Sequence, residues 1–86
     1  MNIMIKFAEM SRTEDGLLGK VQFEVDQHQQ PYEILLQSKD GRSWGYALHF
    51  LHESGPEEEI DALDQYLEEN DEAFDMIIEA AEQAIS

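Results

Sequence analysis

Two groups of side chains in this sequence have types and spacings that bear on chemistry. The first is His49-x-x-His52-Glu53. Zinc enzymes place two histidines four positions apart on a helix, around a catalytic glutamate. Here the separation is three, at the end of a run that alternates like a strand, so the two rings diverge to opposite faces. The spacing predicts two histidines at the rim of a strand, with no metal and no cofactor. His28 lies in a polar turn without an evident partner. Gly16-Leu17-Leu18-Gly19-Lys20 is too short for a phosphate loop, and Val21 stands where a magnesium-binding Ser or Thr is required, so the segment reads as a turn.

The second group is acidic. Pro56 to Gln83 carries twelve Asp and Glu side chains and no Lys or Arg. Glu57, Asp61, Asp64, Glu68, Glu72, Asp75, Glu79 and Glu82 recur in steps of three and four, so on a helix they fall within about 80° of one another. Glu58, Glu69 and Asp71 extend the field. The run lacks the Asp, Asn and Gly spacing of a calcium loop. General acid catalysis requires a carboxyl with a raised pKa in a sheltered cleft, and a solvated helix does not supply one. The chain is therefore expected to have no catalytic residues. Like charges one turn apart cost roughly 0.2–0.5 kcal/mol each. Around ten such pairs put the penalty on the order of 2–5 kcal/mol, against a total stability of about 5–10 kcal/mol for a domain of this size.

Length and composition bound the remaining possibilities. The 86 residues have room for one core, and the 42% hydrophobic share is enough to build it. The absence of cysteine excludes disulfides, thiolate catalysis and Cys-based metal sites. No apolar run reaches membrane-spanning length, and the N-terminus lacks a cationic leader before an apolar stretch, so a cytoplasmic protein is expected. The net charge of −15 is unevenly spread: residues 1–52 hold seven acids and five bases, whereas residues 53–86 hold thirteen acids and no base. Direct nucleic-acid binding is disfavoured, because phosphate contacts need clustered Lys and Arg. An even acidity would fit adaptation to salt; a nearly neutral half joined to a strongly acidic half points to one face with a task.

The elements that must position these groups follow from periodicity. Period-two alternation marks four strands. In the first, Ile3, Ile5 and Phe7 share one face, and Asn2, Met4, Lys6 and Ala8 the other. Val21, Phe23 and Val25 mark the second, Tyr32, Ile34 and Leu36 the third, and Trp44, Tyr46, Leu48 and Phe50 the fourth. Asp40-Gly41 reads as a two-residue hairpin turn, Thr13 to Gly19 as a looser connection, and Gln27 to Pro31 as another. Sequential strands with short links predict an antiparallel meander over residues 1–52.

Ser54-Gly55-Pro56 then supplies a helix start. Ile60, Leu63, Leu67, Phe74, Ile77, Ile78, Ala81 and Ile85 form one apolar stripe that stays in phase across Asn70. A single thirty-residue helix would span about 45 Å, against about 25 Å for the strands. That overhang, together with Asn70-Asp71 as a stop and N-cap pair, favours two helices breaking near Asn70 over one bent helix. The expectation is a single α+β domain: a four-stranded antiparallel β-meander with an acidic helical region, residues 56–85, packed on one face. An unbroken helix would imply a dimer; two helices fit a monomer or weak dimer.

In size and charge the chain is similar to the immunity proteins that bacteria make against nuclease toxins. That resemblance implies a stoichiometric inhibitor whose acids plug the positive cleft of a basic, nucleic-acid-acting protein. A DNA mimic presenting carboxylates in place of phosphates is the second form. An accessory subunit that makes its contacts through the apolar stripe is the alternative from another class. The candidate partner-binding residues are Asp61, Asp64, Glu68, Glu72, Asp75 and Glu79, with Trp44 as an aromatic anchor.

Overall fold

The computed structural model describes residues 1–85. Strands β1 (Ile3–Thr13), β2 (Gly16–Val25), β3 (Tyr32–Ser38) and β4 (Gly45–Phe50) form one antiparallel sheet in the order β1-β2-β3-β4. Helices α1 (Glu57–Glu69) and α2 (Asp71–Gln83) pack on one face of it. The expected α+β meander with two C-terminal helices is the architecture found.

The alternation of β2 and β3 sends Val21, Phe23, Val25, Tyr32, Ile34 and Leu36 into the core, where they meet Leu63, Leu67, Ile77, Ile78 and Ala81 from the helices. Tyr32 stacks between Phe23 and Phe50 at ring-centroid distances of 5.8 and 5.4 Å.

β1 departs from strict alternation. Its register shifts between Ile5, which pairs with Phe23, and Phe7, which pairs with Gln22. This bulge inverts the phase of the rest of the strand. Ile3 and Ile5 face the helices as expected, but Phe7 turns to the uncovered face and is 45% exposed, while Ala8 and Met10 turn inward. The sequence Ile-Met-Ile-Lys-Phe-Ala-Glu-Met is apolar in both phases, so its pattern alone does not reveal the slip.

The connections also differ from expectation. β1 and β2 join through a tight Glu14-Asp15 turn, not a loose link. Gly16 closes it at φ +132°, where a Cβ would lie 2.1 Å from the Ser38 carbonyl oxygen. Asp40-Gly41 does not make a two-residue hairpin. It sits within a longer loop over residues 39–44, in which the Asp40 carboxylate accepts backbone N–H bonds from Arg42 (2.9 Å) and Ser43 (3.0 Å). Those bonds hold its pKa below the usual carboxylate value.

The helices part at Asn70, as the sequence predicts, but by a different device. Asn70 is extended (φ −120°, ψ 91°) and its side chain makes no capping bond. Its backbone carbonyl instead accepts from Ala73 and Phe74. From the break, α2 crosses the strands over the register row Tyr46, Leu36, Gly19 and Met10. Phe74 packs on Tyr46 at 5.2 Å at one end, and Ile85, 37% exposed and outside the core, bridges Met10 at the other.

Candidate partner-binding groove

α1 runs back alongside β4, the edge strand. Near its start, Glu59 accepts the backbone N–H of Gln29 at 2.9 Å. Five residues further along the helix, the Tyr46 hydroxyl donates to Asp64 at 2.6 Å. Leu63 and Leu67 anchor the helix in the core, so the residues next to them on the wheel are turned toward the edge of β4. Between helix and strand lies a groove of about 820 Å³, lined by Trp44, Tyr46, Leu48 and Phe50 on one side and by Glu57, Asp61, Asp64 and Glu68 on the other. His49 also borders it, and among the described residues no Lys or Arg lines it.

The polar chemistry of the groove centres on Tyr46. Burial, then the bond to Asp64, then the charges of Asp64 and Glu68 push its pKa well above the usual tyrosine value. The phenol therefore remains a neutral donor near pH 7 and fixes the Asp64 carboxylate in place. Asp61 and Glu68 are exposed at the rim, and Asp64 is half-buried. Such a site attracts cations. Ammonium or guanidinium groups entering it would meet carboxylates along α1 and an aromatic wall on β4.

Of the residues singled out from sequence, Trp44, Asp61, Asp64 and Glu68 come together here. Glu72, Asp75 and Glu79 do not. The turn at Asn70 carries them away on α2, where they are exposed, and the eight-acid row becomes two limbs in different directions. Glu57, at the helix start, belongs to the groove as well, and Tyr46 is a polar member as well as a packing residue. The alternation Trp44, Tyr46, Leu48, Phe50 was the signal for that wall. What it lacked was the knowledge that α1 lies against this strand.

The histidines have other roles. His49 borders the groove at the edge strand, and its ring donates to Glu33 on the uncovered face at 2.7 Å. Gln22 donates to the second oxygen of the same carboxylate at 2.9 Å. The Gln22 bond first, and His49 after it, lower the Glu33 pKa against the opposing effect of burial. His52 is exposed beyond the strand. His28, expected to be unpartnered, bonds the Tyr32 hydroxyl through Nδ1 at 2.8 Å. Among the described residues no group of three or more His, Asp or Glu side chains is arranged to hold a metal ion, and no helix is long and apolar enough to cross a membrane.

No protein-family model, no curated protein and no solved structure matches the chain.

Proposed function

We propose that the chain is a stoichiometric binder of a basic protein, and that the groove between β4 and α1 is its binding face. In its most concrete form the reading is an immunity-type inhibitor that covers the positive cleft of a nuclease toxin or another nucleic-acid-acting protein. The observation that carries it is the convergence of Glu57, Asp61, Asp64 and Glu68 on an aromatic wall headed by Trp44, with no Lys or Arg in the groove among the described residues. Like charges so held cost stability in the free protein, and a cationic partner relieves the cost.

The bend at Asn70 favours a compact plug over an extended DNA mimic. The α1 row from Glu57 to Glu68 covers only about 16 Å at the helical rise, and the remaining acids leave in another direction. An accessory subunit working through the apolar stripe is less well supported, because Leu63, Leu67, Ile77, Ile78 and Ala81 are used inside the domain.

The test is affinity capture on the immobilised chain at about 50 mM and about 500 mM salt, spanning weak to nearly complete screening. The parent is compared with the double variant Asp61→Asn, Glu68→Gln. A basic protein retained by the parent at low salt, released at high salt and lost from the variant is the expected result. Retention that is indifferent to both salt and substitution would refute the reading.

A further inference from the structure

The face of the sheet opposite the helices is uncovered. Phe7, Leu18 and Leu35 stand on it at 45, 51 and 41% exposure, with Met4 at 36%. Leu18 and Leu35 lie on the two central strands, around a shallow concavity of about 610 Å³. The charges on this face are few, and Glu24, opposite Met4, forms no ion pair among the described residues. Lys20 pairs with Glu9 at 3.6 Å, and Glu33 is held by His49 and Gln22. A chain of net charge −15 thus presents one surface that is largely apolar and sparsely charged.

We infer that this open face is a self-association surface on which a second copy of the chain packs, sheet against sheet. The charge distribution selects the partner and the geometry. Pairing through the edge of β4 would bring the α1 carboxylates of both copies together. The β1 edge is interrupted by the bulge after Ile5 and by the Ile85 bridge. Stacking the open faces instead sends both helix layers outward. With about 10 Å between sheets and about 10 Å from each sheet to its helices, the two acidic layers stand roughly 30 Å apart, several times the ~8 Å screening length at physiological salt. A patch on which exposed apolar side chains dominate and charges are few can face its own copy about a two-fold axis, as an isologous contact requires. A twisted sheet is concave along one diagonal and convex along the other, so two copies seat with their strands crossed.

The size of the face sets the strength. Four strands about 4.8 Å apart and about seven residues long present roughly 450 Å² in projection. The accessible area buried in total is then about 1,000–1,200 Å², at the lower end of specific interfaces. The association is therefore reversible and concentration-dependent.

Sedimentation equilibrium of the purified chain tests this between about 10 µM and 1 mM, the range in which a contact of this size exchanges. The expected result is a monomer–dimer equilibrium that strengthens from low to physiological salt as the residual repulsion is screened, opposite in sign to capture of a basic partner. Leu18→Thr with Leu35→Thr keeps β-forming residues at exposed positions and should weaken the dimer at least about tenfold. Asp61→Asn with Glu68→Gln should leave the dimer in place. A parent that is monomeric at the highest concentration overturns the inference. So does a dimer that survives the Leu18/Leu35 variant while circular dichroism shows it folded. The groove reading survives either outcome, because its own test uses different residues and the opposite salt dependence.

Discussion

The two outward surfaces of the molecule treat the same kind of side chain in opposite ways. On the open face of the sheet, Glu9 has Lys20 and Glu33 has His49 and Gln22. On the helices, among the described residues, no carboxylate forms an ion pair with Lys or Arg. All five Lys and Arg side chains lie in the first half of the chain, so the helices hold none of their own. Repulsion is concentrated on the helix layer and is weaker on the open face, where apolar side chains are exposed.

Several substitutions break or sharpen this contrast. The largest effect is expected from Leu63→Ala, which removes a fully buried anchor of α1. It should cost about 2–5 kcal/mol in chemical denaturation and loosen the groove along with the helix. Alkali should act next. Burial, and then the Glu59 charge, push the Tyr32 pKa up from 10.0 to about 12. Its contribution to stability is therefore complete below pH 10 and is lost as pH rises toward 12, a loss that Tyr32→Phe should abolish in denaturation curves recorded across that interval.

Within the groove, Asp64→Ala leaves the Tyr46 hydroxyl without its acceptor and should destabilise by about 1–2 kcal/mol, although it also removes a crowded charge. Asp61→Asn with Glu68→Gln, whose carboxylates make no ion pair, should instead stabilise by about 0.5–1 kcal/mol and raise the thermal midpoint. Glu33→Gln on the open face should have the opposite sign. The Glu33 pKa is lowered, so its contribution is present above the ordinary carboxylate value of 4.5 and fades as pH falls below it. The variant should lose stability at pH 7 and lose little more on acidification. The smallest effect is that of salt on the parent, whose unfolding midpoint should rise between about 10 and 150 mM as helix repulsion is screened. If Asp61 and Glu68 behaved like Glu33, the contrast between the two surfaces would be wrong.

Much of this molecule was legible before any coordinates. Alternation in residues 21–25, 32–36 and 44–50 reports strands, the stripe from Ile60 to Ala81 reports helix, and an Asn-Asp pair in a stretch too long for the sheet reports the break. These are local properties: each depends on the spacing of side chains along one segment and on the conformations its residues prefer. The concentration of acid in residues 53–86 is equally a matter of composition. The bulge after Ile5 is not, because β1 is apolar in both phases and only pairing with β2 and docking of α2 on Met10 decide between them. Nor is the union of Trp44 and Tyr46 with Asp61, Asp64 and Glu68, or the exclusion of Glu72, Asp75 and Glu79. A helical wheel places all six acids on one side, but it carries no information about the strand that lies beside that side or the direction in which the chain leaves Asn70. Those are settled by how two helices of thirteen residues each cover a sheet of four short strands, a packing problem solved only when every element is present together.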